Sequence, residues 1–205
     1  MERFSATGAI RFGWDIFWKR PLMFVGYALV MGLVSYAIGG DPHASGAYEV
    51  VTLLASMVVA VFLDMGATAF MLKAHDDLEQ VSLVDLWHPD DFWNYLLASI
   101  LVGLVVGIGL ILLIVPGIVA ALALFFVKFL VIDKHLGPIE AFKESVRMTK
   151  GHRLGLLVLF ILIALIDILG ALAFGIGLLI AVPVTTMATA YAYRVIAKMP
   201  APTRV

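Results

Sequence analysis

Asp64 and Lys128 are charged residues inside long apolar segments, where they could pair with each other or pass a proton or ion. Asp64 lies in the segment 50–72 and Lys128 in 116–132. At about 1.5 Å of helix per residue, their distances from the basic ends of these segments differ by only ~6–7 Å. A lone charge inside a bilayer costs about 2.5–3.5 kcal/mol on insertion scales, so we expect an ion pair. Three interpretations remain open: a structural ion pair, a Lys128 whose side chain extends to the membrane interface, and a proton or ion relay.

A second group of residues that could bind a ligand is basic and flanks the apolar segments. Clusters of this kind attract the phosphates of lipid headgroups. The alternative is the ordinary excess of basic residues on the cytoplasmic side of membrane proteins. The candidate headgroup ligands are Arg11, Lys19, Arg20, Lys143, Arg147, Lys150 and Arg153.

An acidic stretch with two histidines occupies residues 75–91. Its carboxylates and imidazoles could hold a divalent cation, although their spacing matches no known ligand loop. Asp90 and Asp91 are placed to cap the helix that follows. The negative charge also favours docking on the basic stretch 143–153, and simple solvation is the remaining alternative.

No catalytic constellation emerges from the sequence. The histidines lie in loops or at the edges of apolar segments, cysteine is absent, and no phosphate-binding glycine loop or zinc motif is present. We therefore expect no enzymatic activity, no cofactor and no metal. Nothing in the sequence favours nucleic-acid binding.

The elements that carry these residues are apolar enough to cross a bilayer. Hydrophobic residues make up 62% of the 205 residues and charged residues 14%, and the mean hydropathy is +1.04. Soluble chains are nearer about 45–50% apolar and about 25% charged. Each apolar segment is close to the length that a membrane-spanning helix needs, and we predict one transmembrane domain over residues 1–205. The predicted spans are 21–38, 50–72, 92–115, 116–132, 154–170 and 176–193.

The boundary between the third and fourth spans is inferred from proline and glycine. No charged residue occurs between Leu96 and Val127, a stretch too long for one crossing. Pro116 and Gly117 stand near its middle, and proline suits the first turn of a helix. The sequence therefore predicts two helices joined by a very tight turn.

The distribution of lysine and arginine predicts the orientation. With six spans, every basic residue except Lys128 falls on one side. The other side holds 39–49, the Pro116–Gly117 turn and 171–175, all without a basic residue. The positive-inside rule then places both termini in the cytoplasm.

Short amphipathic segments precede each pair of spans. In the first, Ile10, Trp14, Phe17 and Trp18 share an apolar face. Its charged residues, Arg11, Asp15 and Lys19, are spaced for ion pairs between successive turns. We expect this helix to lie in the interface, with its tryptophans at headgroup depth.

The other two amphipathic segments are 82–87 and 137–150. In 137–150, Pro138 follows a capping Gly137, and Ile139, Phe142 and Val146 share one face. In 82–87, Ser82 and Asp85 resemble a capping box. The predicted fold is all-α, with six spans as three hairpins and a cytoplasmic interfacial helix before each hairpin.

A pair of glycines marks a surface for close helix packing. Gly103 and Gly107 form a small-xxx-small pattern within the third span. This pattern permits a homo-oligomer, but it is common in membrane helices.

Three segments resemble a known family: 81–87 (VSLVDLW), 114–118 (IVPGI) and 131–151, which contains LGPIEA. They are similar to the glycerophosphoryl diester phosphodiesterase membrane-domain family and its uncharacterised bacterial relatives. The resemblance implies a multi-pass module of the bacterial inner membrane, fused in some relatives to a soluble phosphodiesterase domain. No such domain occurs in these 205 residues, so the resemblance implies neither that activity nor any catalytic residue.

The function expected from these features is that of a non-enzymatic membrane module that engages lipids or a partner protein through its cytoplasmic surface. The alternative is a small transporter or channel that uses Asp64 and Lys128.

Overall fold

The computed structural model describes residues 4–37, 47–87, 89–173 and 175–198. Within these ranges the chain is helical and contains no β-strand. The expected loop 39–49 lies largely outside the described residues, as do His43 and His88. The elements are α1 (Ala6–Lys19), α2 (Pro21–Ala37), α3 (Ala47–Asp76), a 3₁₀ turn (Leu83–Leu86), α4 (Phe92–Leu112), α5 (Ile114–Ala123), α6 (Val127–Lys134), α7 (Pro138–Thr149), α8 (Arg153–Leu172) and α9 (Leu178–Lys198).

The helices are long and apolar enough for a membrane protein. Five qualify as spans by length and composition: α3, α4, α5 with α6, α8 and α9. If the pair α1–α2, which is bent by 103°, is counted as one further span, the number of spans among the described residues rises to six. The expectation of an all-α protein with membrane-crossing helices is confirmed at this level.

The break between α4 and α5 lies at Leu113, which is extended. Pro116 is therefore the third residue of α5 and not the first, as the sequence predicted. This position is tolerated because the first N–H groups of a helix have no intrahelical acceptor. Beside the break, a Cβ built on Gly109 would lie 3.0 Å from the Cα of Gly117. Only glycine allows the two backbones this close approach.

A second break, which the sequence did not predict, separates α5 from α6 at residues 124–126. Its free backbone groups are bonded by buried side chains of α7. Ser145 Oγ donates to the carbonyl of Ala123 at 2.9 Å and accepts from the N–H of Phe126 at 3.2 Å. Thr149 Oγ1 also donates to Ala123, at 3.2 Å. Such bonds are required wherever a helix is interrupted away from water.

The core is built around α9 and the α5–α6 segment. In the most apolar 18 residues of each span, 56% of the residues are buried in α9 and 44% in the α5–α6 segment, against 17% or less in the other spans. Tyr193 of α9 is fully buried and its ring stacks on Phe129. On the opposite face of α9, the amphipathic α1 approaches so closely that a Cβ on Gly13 would lie 2.3 Å from the carbonyl oxygen of Val184.

Polar contacts gather several helix ends at one end of the bundle, which we call the charged end. Arg20, at the start of α2, donates to the carbonyl of Leu78 just after α3 at 2.6 Å. Arg194 near the end of α9 binds Asp76 at the end of α3 and Asp133 near the end of α6. These bonds hold the ends of α3, α6 and α9 beside the start of α2.

Candidate functional site

The structure brings Asp64 of α3 and Lys128 of α6 together. Lys128 Nζ donates to Asp64 Oδ2 at 2.5 Å. The two residues are 64 positions apart in the sequence, and Lys128 is the second residue after the break that precedes α6. The break thus sets the start of the short helix from which the lysine reaches α3.

Two further residues, which the sequence reasoning missed, complete this polar cluster. The fully buried Tyr95 of α4 donates its hydroxyl to Asp64 Oδ2 at 2.8 Å. Thr68 lies 3.2 Å from the same hydroxyl and donates to the Asp64 carbonyl at 2.9 Å. Thr68 could have been found from the sequence, because it follows Asp64 by one helical turn. Tyr95 gave no such signal, since its contact depends on how α4 packs.

The Asp64–Lys128 pair is only half covered by the protein. The side chain of Asp64 is 46% exposed and that of Lys128 is 38% exposed. On the N-terminal side of Asp64, residues 50–60 of α3 include no buried residue. An ion pair at this position in a membrane needs a polar neighbour on its open side, which water, a headgroup or another chain could supply.

A cleft of about 400 Å³ opens at the charged end, between α3, α6, α9 and the 3₁₀ turn. Its charged lining consists of Lys73, Asp76, Asp77, Asp85, Asp133 and Arg194, and its other lining residues are Ala69, Leu72, Trp87 and Ile132. The carboxylates outnumber the cations, so the cleft favours positively charged solutes.

Two cations hold the walls of this cleft. Arg194 bridges Asp76 and Asp133, and Asp133 also accepts from the hydroxyl of Tyr193. Lys73 donates to Asp85 at 2.6 Å. Burial raises the pKa of Asp85, but the hydrogen bonds from Lys73 and the Ser82 backbone outweigh it, so the pKa is lowered overall.

The acidic stretch 75–91 does not pair with the basic stretch 143–153 among the described residues. Its carboxylates bind elsewhere: Asp76 binds Arg194, Asp85 binds Lys73 and Asp91 binds His135. Asp91 occupies the predicted N-cap position of α4, but its side chain makes no capping bond because it faces His135. The described residues contain no group of three histidines or carboxylates placed to hold a metal ion.

The predicted basic ring divides into engaged and unengaged residues. Arg20 is bonded to three carbonyls of the segment after α3. Arg147 forms a two-pronged pair with Glu144 at 2.7 and 2.6 Å, and this pair raises the pKa of Arg147. Arg153 has a buried Nε without a partner. Within the predicted ring, the exposed cations with no acidic partner in the described part of the chain are Arg11, Lys19, Lys143 and Lys150.

The residues that α1 buries were not predicted from the sequence. Of the apolar face that was expected in the membrane interface, Phe17 is buried and Ile10 packs, partly buried, against the core. The buried residues of α1 are Ala6, Ala9, Gly13, Ile16 and Phe17, so small side chains allow close contact with α9. Trp14 and Trp18 remain 47% and 54% exposed. The expected ion pairs of Asp15 with Arg11 and Lys19 do not form. The exposed tryptophans therefore lie beside a charged face that has no ionic partner.

The residues that α7 buries were also not predicted, although Phe142 and Val146 of its apolar face pack, partly buried, against the core. The helix begins at Pro138 after the cap Gly137, as expected. The residues it buries are Ala141, Ser145, Met148 and Thr149, whereas Ile139 is exposed. The reason is the break before α6, whose backbone groups require the hydroxyls of Ser145 and Thr149. The third amphipathic segment is a single 3₁₀ turn of four residues.

The glycine pair of α4 faces open space. A Cβ added to Gly103 or Gly107 would meet no atom within 4 Å. The close packing that this pattern permits is therefore not used within the described residues. The two glycines therefore lie on a face of α4 that contacts no other helix of the described chain.

Comparison with known protein families gives a match over part of the chain. No curated protein and no solved structure matches the chain, and the resemblance to the glycerophosphoryl diester phosphodiesterase membrane-domain family is not confirmed. The match extends from α4 to the end of α9, so it includes Lys128 but not Asp64 or Tyr95. Residues 104–199 match the model of a family described as "Protein of unknown function (DUF975)".

Proposed function

We propose that this chain is a non-enzymatic, multi-pass protein of the bacterial inner membrane that binds anionic phospholipid headgroups at its cytoplasmic surface. The single observation that carries the proposal is the set of exposed cations without an acidic partner on α1, on α7 and at the C-cap of α7: Arg11, Lys19, Lys143 and Lys150. Most other basic side chains at the charged end are bonded within the protein. Cations that the fold leaves free are available for phosphate.

The proposed topology has three hairpins, with the charged end and both termini in the cytoplasm. The contacts at the charged end support it, because helices that alternate in direction bring these ends together. The 103° bend between α1 and α2 supports an α1 that lies along the membrane surface while α2 crosses it. The exposed Trp14 and Trp18 suit headgroup depth.

Lipid binding is tested with the full-length protein in detergent. The probe is phosphatidylglycerol, with phosphatidylcholine as the uncharged comparison, and the readout is the lipid-induced rise in melting temperature together with bound lipid by native mass spectrometry. Each cation near an anionic surface contributes about 1 kcal/mol. Changing Arg11, Lys19, Lys143 and Lys150 together to glutamine should therefore abolish the preference for phosphatidylglycerol.

The matched control for this experiment changes charge on the same two helices without removing a cation. In the double variant Asp15→Asn and Glu140→Gln, the preference for phosphatidylglycerol should persist or increase. An unchanged preference in the four-cation variant would refute the proposal.

A second candidate function is a small transporter or channel that uses Asp64 and Lys128. It is favoured by the break before α6 beside a half-exposed ion pair, since interrupted helices frequently line binding sites in transporters. In proteoliposomes, Asp64→Asn should abolish a proton or cation flux that the wild type carries. Asp167→Asn is the matched control, because Asp167 of α8 bonds to Thr185 away from this cluster.

A further inference from the structure

The cleft at the charged end and the Asp64–Lys128 pair lie along the same two helices. On α3, Asp64, Thr68, Leu72 and Asp76 follow one another at intervals of four and so share a face. Leu72 and Asp76 line the cleft, whereas Thr68 and Asp64 belong to the polar cluster. The stripe thus connects the cleft to the ion pair.

The same arrangement occurs on α6. Lys128 and Ile132 are separated by four residues, so they share a face of this helix, and Ile132 lines the cleft. The cleft therefore ends one helical turn from Lys128 on α6 and, at Ala69 and Leu72, within a turn of Thr68 on α3. Leu72 and Ile132, both buried, stand on these two faces between the charged lining of the cleft and the ion pair.

We propose that the cleft is the aqueous entrance to the Asp64–Lys128 pair, that Leu72 and Ile132 close it, and that it admits small cations, including the proton, from the charged end. This inference rests on the second of the functions proposed above. The lining supports cations as the solute, because Asp76, Asp77, Asp85 and Asp133 outnumber Lys73 and Arg194. Two apolar side chains form a gate that excludes water until they separate.

The chain contains no cysteine, so a single introduced thiol reports access to water without background. Ala69→Cys places the thiol in the cleft, and Thr68→Cys places it in the polar cluster behind Leu72 and Ile132. The probes are a cationic and an anionic methanethiosulfonate reagent, added to the full-length protein in vesicles. Ala69→Cys should react readily, and faster with the cationic reagent, whereas Thr68→Cys should react slowly.

Opening the gate should expose the inner position. Adding Leu72→Ala or Ile132→Ala to Thr68→Cys should speed its reaction about tenfold, equivalent to about 1.4 kcal/mol in the opening equilibrium. Leu130→Ala, which truncates a fully buried residue of α6 outside the cleft, is the matched control and should leave the rate unchanged. Melting curves identify any variant that has lost its fold. If a truncation variant has unfolded, the test depends instead on the reaction rates of Ala69→Cys and Thr68→Cys in the otherwise unchanged chain.

Two results would overturn the inference. An unreactive Ala69→Cys would show that the cleft is not aqueous. Leu72 and Ile132 would not close the cleft if Thr68→Cys reacted as fast as Ala69→Cys. The same conclusion would follow if truncating Leu72 or Ile132 did not change the reaction rate of Thr68→Cys. Thiol labelling reports only whether water reaches the ion pair through the cleft. If no Asp64-dependent flux is found, the transport function is refuted but the aqueous entrance is not.

Discussion

His135 at the end of α6 pairs with Asp91 at the start of α4. Both residues have left-handed backbone conformations, with φ of 50° and 62°. The hydrogen bond that His135 donates to Asp91, together with the negative charge of Asp91, raises the pKa of His135. The pair therefore ties two helix ends together, and its strength depends on pH.

The stability contributed by this pair should decrease as the pH rises. Because the folded-state pKa of His135 is raised, the contribution is fully present below the unfolded value of about 6.5 and is lost as the pH passes through the folded value. His135→Asn, which suits a left-handed backbone, should remove this part of the pH dependence. Melting curves between pH 5.5 and 8.5, in steps of about 0.5 across the histidine range, provide the measurement. The effect is small because the His135 side chain is 65% exposed.

The control for this prediction is His152→Asn, because His152 has no acidic partner among the described residues. This variant should retain the pH dependence of the wild type. An undiminished dependence in His135→Asn would contradict the assignment.

Removing one member of the Asp64–Lys128 pair should destabilise the protein more than removing both. Asp64→Leu leaves an unpaired ammonium and Lys128→Leu an unpaired carboxylate, each at a cost of at most about 2.5–3.5 kcal/mol, the value for a charge at the centre of a span. The double variant leaves no lone charge and should recover most of this loss. Unfolding in mixed micelles measures all four proteins. A double variant no more stable than the weaker single variant would show that the two residues are not coupled.

The sequence predicted the features that local chemistry or the cost of a charge determines. The tight break near Pro116 followed from an apolar stretch too long for one crossing. The pairing of Asp64 with Lys128 followed from the penalty for lone charges in apolar segments. The cap of α7 followed from Gly137 and Pro138. The first two of these inferences required only the positions of residues within one or two apolar segments and the energetic cost of placing them in a bilayer, and the third required only the residues at the start of a helix.

The missed features depend on packing between distant segments. The break before α6 exists because Ser145 and Thr149 lie nearby to bond Ala123 and Phe126, and residues 124–126 contain no proline or glycine to mark it. Tyr95 enters the site only through the packing of α4. For α1 and α7, the sequence indicated an apolar face but not which residues pack closely on other helices, because small residues determine how closely helices approach.

The hydroxyl of Ser145 should be required for the stability of the interrupted helix. Ser145→Ala leaves the buried N–H of Phe126 without its acceptor, at a cost of about 1–3 kcal/mol, whereas the Ala123 carbonyl keeps the bond from Thr149. Ser56→Ala is the matched control, because the Ser56 hydroxyl also bonds a carbonyl, that of Leu53, but at an exposed position. Thermal unfolding should show a clear loss for Ser145→Ala and a change within about 0.5 kcal/mol for Ser56→Ala. Equal effects would show that the break does not depend on α7.

Alanine in place of glycine should have opposite effects at two helical positions. In Gly13→Ala the new methyl group would meet the Val184 carbonyl oxygen at 2.3 Å, a backbone atom that cannot move aside without shifting α1 or α9. We expect lower stability and greater proteolysis of α1. Gly107→Ala introduces a methyl group with no neighbour within 4 Å and should stabilise the monomer by about 0.5–1 kcal/mol, the helix preference of alanine over glycine. If Gly107→Ala instead lowers the stability or separates a multimer in size-exclusion chromatography, the open face of α4 packs against a second copy of the chain.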